Sequence, residues 1–489
     1  MARITVLGLG GENMGISHLS SYLQTKGHNV TLVFDPAIFA DKQLLNFEKI
    51  NKLLFPNKKL IKKVVDSKPD IIGFSVFTNN YQWALNLSIE LKKHINVPIV
   101  FGGIHATSVP GVLIKEDSID YVVIGEGEIA FLELLKVIEK KEDIKNLKNT
   151  FHKRDGEVYF NGLYPLIQNL DDLQSFNKTL FEPYIPFTEG YFTMTSRGCP
   201  YSCTFCSSSL PNKLYSKDKF LRRRSVEHVI DELKIARKKF NPKFIFFLDD
   251  VFTMNEVWLR KFCNIYKHEI NIPFRCMAHA KLSSEEMLLM LKNAGCQHVQ
   301  IGMQTYDDNN RRHILRRPET TDEIKRIILI CKKVSLHCSV DYIFFPWEGE
   351  NMQISAARFF NQVRPDKIAT FYLSYLPKTE IIQYAKKHGF IDEEKEGFIN
   401  AGISENLYHS GGDISKQQLK LFKQFDVLFQ LTNVLSKRNV DFIIRRKLYK
   451  VFKIIVFLII FYLIGGPISN CEIKLVDVPE MKYLSTDVD

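Results

Sequence analysis

The strongest constraint on the fold is an alternation of short apolar runs with amphipathic ones, met twice along the chain and interrupted once. Runs at 3–9, 30–34, 70–77, 97–101 and 121–124 have strand length and composition, while 81–94 and 128–139 carry apolar residues at helical spacing. Strands separated by helices of this length pair in parallel through crossovers. Residues 1–140 are therefore expected to form an α/β, doubly wound sheet whose ligands sit at the carboxyl ends of its strands. Residues 141–189 follow neither period, scatter Asn, Asp and Pro, and read as a linker. Alternation resumes over 190–380, with strands at 244–248, 298–301, 337–345 and 368–373 and helices such as 227–239 and 284–293. This second block predicts a full or partial parallel β/α barrel with its chemistry at the carboxyl ends of its strands. Residues 381–489 read as a helical carboxyl-terminal region.

The nine cysteines are odd in number and none precedes Cys199, which argues against a disulfide framework and for a reducing compartment. Cys199, Cys203 and Cys206 stand at C-x3-C-x2-C spacing, close enough in one loop to hold three corners of a cube-shaped iron-sulfur cluster. Three thiolates leave the fourth iron open to an outside ligand. A zinc site short of one ligand and three core cysteines are the alternatives, although zinc motifs come as two C-x2-C pairs and no partner pair follows. Cys263, Cys276, Cys296, Cys331 and Cys338 lack such spacing and are expected to pack as small hydrophobes.

At this loop the sequence resembles the radical S-adenosylmethionine superfamily, whose motif has this spacing and an aromatic residue, here Phe205, before the third cysteine. The resemblance implies a 4Fe-4S cluster on Cys199, Cys203 and Cys206 with S-adenosylmethionine chelating the open iron. One electron from an external donor would then release methionine and a 5′-deoxyadenosyl radical. The resemblance continues through 246–252, 294–296, 301–305 and 317–323, and adds Phe205, Asp249 and Gln304 to the cofactor side. Gln304 stands where relatives often carry Glu, so ribose recognition there would use an amide. From the residues alone, Asp249 and Asp250 read equally well as a helix cap and Gln304 as a packed polar side chain.

Residues 1–140 resemble the cobalamin-binding domain that precedes the radical domain in a large subgroup, through Ser75-Val76-Phe77, the segment 102–107 and Ile124-Gly125-Glu126-Gly127-Glu128. This implies cobalamin near Ser75, Gly102, Gly103 and His105. The glycines would let backbone approach a bulky flat cofactor, although a tight strand-to-helix turn uses them equally. In mutase-type domains a histidine in the first loop ligates cobalt from below; here Glu12 takes its place, so no histidine ligand is expected. A dinucleotide fold is the rival for that loop, but 8–15 lacks G-x-G-x-x-G spacing.

The formal charge of +11 is spread over short runs such as Arg222-Arg223-Arg224, which read as solvated faces, and no basic-aromatic module predicts a nucleic-acid partner. The opening residues read as a strand rather than a secretion signal, so a cytoplasmic location is expected. The apolar segment 454–468 follows a basic group and falls short of the about 20 residues of a span. A buried helix, an in-plane helix and membrane association through this segment all fit it. Together these readings point to a cobalamin-dependent radical methyltransferase acting on an unactivated carbon of an unread small-molecule or lipid substrate. A radical cyclase or oxidoreductase is the runner-up, and an electron carrier or cobalamin sensor the reading from another class. Methylthiolation is disfavoured, because no cysteine precedes Cys199 to hold a second cluster.

Overall fold

The computed structural model describes residues 1–37, 40–41, 45–46, 57–140, 144, 147–176, 178–215, 220–403 and 414–451. In the first block, β1 (Arg3–Leu9), β2 (Asn29–Asp35), β3 (Ile71–Ser75), β4 (Ile99–Gly102) and β5 (Tyr121–Val123) pair in the order β2-β1-β3-β4-β5, all parallel. Ile4, Val6 and Leu7 of β1 are all buried, as a parallel strand covered on both faces requires. Helices α1 (Met14–Thr25), α2 (Asn57–Asp66) and α3 (Tyr81–Lys92), with two short helices at Ile104–Ser108 and Pro110–Leu113, supply the crossovers, and α4 (Gly127–Lys140) follows β5. The strand order reverses between β1 and β3, which opens a crevice beyond their carboxyl ends.

The segment read as a linker contributes two further strands to this sheet. β6 (Thr150–Arg154) and β7 (Glu157–Phe160) add antiparallel to β5 as a hairpin. Its two-residue turn is Asp155-Gly156, both at positive φ (51° and 80°), the backbone that Asp-Gly supplies with least strain.

The second sheet consists of β8 (Tyr191–Thr193), β9 (Ile245–Phe247), β10 (Phe274–Ala278), β11 (Cys296–Gln304), β12 (His337–Phe344) and β13 (Lys367–Tyr372), parallel and in chain order. β10 was not among the expected strands. Sequential parallel order is barrel topology, but β8 and β13 remain edges, so the barrel is partial. Between the strands run α5 (Val226–Phe240), α6 (Glu256–Glu269), α7 (Glu285–Asn293), α8 (Thr321–Lys333) and α9 (Glu350–Val363). Ser225, Asn255, Ser284 and Thr320 cap the first four with side-chain oxygens, and Glu323 completes a capping box at Thr320. Val299, Ile301, Cys338 and Val340 bury one face of the sheet in a core shared with Leu288, Ile327 and Phe360 of these helices.

Four helices follow, α10 (Glu380–Lys387), α11 (Glu393–Asn400), α12 (Lys416–Val434) and α13 (Lys437–Arg445). α12 lays Phe422 on Phe344 (ring centroids 4.9 Å apart) and Phe429 against Phe360 (5.0 Å), tying the carboxyl region to the barrel. Among the described residues no helix is long and apolar enough to cross a membrane. The apolar segment 454–468 and Cys471 lie outside the described residues.

Candidate functional site

The cysteine loop leaves the carboxyl end of β8, and Asp249, just beyond β9, holds it there. Buried Asp249 accepts hydrogen bonds from Thr195 N (3.0 and 3.1 Å), Thr195 Oγ1 (2.7 Å) and Ser196 Oγ. Cys203 is buried and Cys199 and Cys206 half-buried, and all three are free thiols. Burial pushes the Cys199 thiol up to about 12, the Cys203 thiol to about 11, and that of Cys206 upward as well. Arg317 Nη1 lies 3.8 Å from Cys203 Sγ, and its Nη2 donates to Gly302 O (2.9 Å). Behind it, Arg317 pairs with Glu319 (2.5 Å), Glu319 with His279 (3.1 Å), and His279 stacks on Tyr201 of the cysteine loop (4.1 Å).

Among the described residues no three Cys, His, Asp or Glu side chains converge as a single-ion site requires. A cubane is held at separate corners. Three free thiols on one loop suit such a group, whose positive charge would offset the burial that raises their pKa.

A cavity of about 490 Å³ joins this loop to the crevice of the first sheet. Its walls include Ser75, Gly102, Gly103 and Thr107 on one side and Ser196, Arg197, Ser207 and Asp250 on the other. At Gly102 an added Cβ would meet only Val123 O at 3.7 Å, so the missing side chain keeps the cavity open. Gly103 serves the turn itself: its φ is +96°, and a Cβ would lie 2.8 Å from Val76 O. Ser75 Oγ accepts from Asn13 (3.2 Å), the cap of α1. This concave, small-residue floor fits a bulky cofactor.

The other expected positions lie elsewhere. His105 is buried against Tyr81, with Nδ1 3.1 Å from Thr78 Oγ1 and Nε2 unpartnered, and burial lowers its pKa to about 4. It does not line the cavity; its neighbours Ile104 and Thr107 do. Phe205 is partly buried against the small core cluster that includes Leu315, Phe345 and Ile381. Gln304 ends β11 at φ 65°, at a register shift, with its amide folded over Gly302. Glu12 accepts from Lys178 Nζ (2.5 Å) and Ser17 Oγ (2.9 Å), away from the cavity.

Sequence reasoning missed two groups. His18, one helical turn beyond Gly15, lines the cavity; burial and the charges of Arg197, Arg224 and Lys178 hold its pKa well below the usual imidazole range. Arg197, two residues before Cys199, pairs with Glu126 (2.8 Å) and Glu128 (2.5 Å), and Arg222 also meets Glu126 (2.5 Å). The Glu126-Gly127-Glu128 motif thereby clasps the cysteine loop.

Comparison with known proteins matches two families in order along the chain. Residues 2–135 match the B12 binding domain family and residues 193–359 the Radical SAM superfamily. An uncharacterized methyltransferase of Pyrococcus horikoshii is 30% identical over 398 residues, covering 78% of this chain and 80% of that protein. The cytidylyl-2-hydroxyethylphosphonate methyltransferase of Streptomyces wedmorensis is 22% identical over 446 residues, covering 79% and 82%. Among solved structures, the cobalamin-dependent S-adenosylmethionine radical enzyme OxsB, with aqua-cobalamin and S-adenosylmethionine bound, superposes with a TM-score of 0.69 at 16% identity, over 95% of this chain and 75% of that one. With both domains matched in order and their loops meeting in one cavity, the chain belongs to the radical S-adenosylmethionine enzymes that carry a B12-binding domain.

Proposed function

We propose that this enzyme transfers a methyl group to an unactivated carbon, using cobalamin together with a 4Fe-4S cluster and S-adenosylmethionine. The carrying observation is the single cavity walled by the first sheet's ligand crevice on one side and the cysteine loop on the other. Bound there, these groups supply one-electron cleavage of S-adenosylmethionine and a methyl group that a carbon radical accepts. An unactivated carbon has no lone pair or acidic proton, so ordinary nucleophilic transfer to it faces a far higher barrier.

The chain's own residues bind, orient and exclude water. Cys199, Cys203 and Cys206 hold the cluster, with an external protein or small molecule donating the electron. Arg317 directs a charged donor at Cys203, and such contacts to ligating sulfur tune a cluster. Asp249 is a positioning residue that fixes the start of the loop through Thr195 and Ser196. Ser75, Gly102 and Gly103 floor the cobalamin side, where burial and nearby cations hold the His18 imidazole well below its usual pKa. Phe205 and Gln304 support the loop and the end of β11.

The test is the product balance under anaerobic, reducing conditions with the true substrate. Methyl transfer yields about one 5′-deoxyadenosine and one S-adenosylhomocysteine per methylated product. Turnover with 5′-deoxyadenosine and no S-adenosylhomocysteine would replace this reading with a radical cyclase or oxidoreductase.

A further inference from the structure

The second sheet has two unlike faces. Val299, Ile301 and Val340 bury one of them under the helices. Strand side chains alternate, so the intervening residues share the inner face of the partial barrel. There β10, β11 and β12 present Arg275, Gln300 and Asp341, with His298 and Ser339 on the same side. An apolar plug would be the usual filling of a small parallel barrel.

The polar groups on this floor are only partly matched to one another. Gln300 Nε2 donates to both oxygens of Asp341 (3.0 and 2.8 Å), and His298 Nε2 lies 2.7 Å from Ser339 Oγ. Half-buried Arg275 makes no hydrogen bond or ion pair among the described residues, and its guanidinium rests 5.0 Å from the centre of the Phe246 ring. Its donors stay open, and a guanidinium stacked on an aromatic face and drawn by the charge of Asp341 without a bond to it is placed to take an oxyanion through them. The floor also leads to the cysteine loop: Gly302, the next residue on this face of β11, accepts from Arg317, whose other nitrogen faces Cys203.

We propose that the inner face of the second sheet is the substrate site, and that the substrate carries an oxyanion, carboxylate or phosphoryl, seated on Arg275, with a hydroxyl or amino group offered to Asp341. This names the substrate class for the methyltransferase reading and rests on it. A planar guanidinium holds either oxyanion through two parallel N–H bonds. A substrate anchored at Arg275 extends along Gln300 and Asp341 toward Gly302, which brings its far end to the cysteine loop.

The experiment is calorimetric titration of the full chain with phenylphosphonate, phenylacetate and neutral benzyl alcohol, none of which requires turnover. One or both anions should bind and the alcohol should not, the stronger anion identifying the phosphoryl or carboxyl source. Arg275→Gln should weaken that anion by about tenfold or more, and Arg275→Lys should recover part of the loss. Iron content and S-adenosylmethionine binding should stay unchanged in both variants. Because a variant can misfold, phenylglyoxal labelling of the unaltered chain provides a second readout, in which the bound anion should slow modification of Arg275. Failure of both anions to bind, equal binding by Arg275→Gln, or unprotected labelling at Arg275 overturns the proposal. Arg275-dependent anion binding in an enzyme that forms no S-adenosylhomocysteine would instead sink methyl transfer alone.

Discussion

Asp249 gathers Thr195 and Ser196, residues more than fifty positions earlier in the chain, so its carboxylate acts on the protein rather than on a ligand. Asp249→Ala would strand buried donors at about 1–3 kcal/mol each and loosen the loop. Iron retained after anaerobic reconstitution should fall severalfold, whereas Gln304→Ala should leave it unchanged. Replacing Cys199, Cys203 and Cys206 together by Ala should abolish the cluster outright, as read by iron content and absorbance. Beneath cobalt no protein nitrogen is expected: electron paramagnetic resonance spectra of the cobalamin-loaded chain should be the same for wild type, His18→Ala and His105→Ala, and a nitrogen splitting lost in either variant would overturn this. The cysteine triplet stood out as a candidate because its spacing is local. His105 and His18 were not distinguishable in sequence, since which imidazole reaches the cavity depends on how a loop and α1 turn, and Asp249's partners lie in the loop after β8, more than fifty positions earlier.

At the scale of elements, the alternation of strand and helix revealed both sheets, and the errors have physical causes. The β6–β7 hairpin hid in a polar stretch because its outer strand is exposed along its whole length, leaving Asp155-Gly156 as the signal that could have found it. In β10 a single charged residue, Arg275 on the inner face, interrupts the apolar run. The loop after β12 carries Glu348, almost wholly buried, which accepts from Thr305 Oγ1 (2.5 Å) and Asn310 Nδ2 (3.0 Å). Burial outweighs these donors and raises its pKa from 4.5 to about 7. The folded chain keeps a proton that the unfolded chain releases, so this stabilisation is complete below about 4.5 and lost as pH rises through about 7. Glu348→Gln should remove that dependence, up to about 3 kcal/mol as an upper bound. The check is the difference in melting temperature between the two proteins at acidic and alkaline pH, which should narrow or reverse in the mutant's favour above neutrality.

Across the whole molecule, domain order was readable while the joint between domains was not, because ion pairs between distant loops follow no sequence period. Arg197, Arg222, Glu126 and Glu128 are all largely buried, with side-chain exposures of 18%, 6%, 13% and 6%. Removing one charge leaves its partners uncompensated, so Glu126→Gln should cost about 3–5 kcal/mol at the joint. Calorimetry should then resolve two melting transitions where the parent shows a single coupled one, and proteases should gain access to 161–190. The parent joint sets two guanidiniums against two carboxylates and so closes electrically neutral. The chain's excess of positive charge lies elsewhere, and little bulk ion reaches these four groups to screen them. Raising ionic strength, which weakens contacts between charged surfaces, should leave the two halves sealed; the joint is a permanent seam, and the cavity it encloses keeps its shape in dilute buffer and concentrated salt alike.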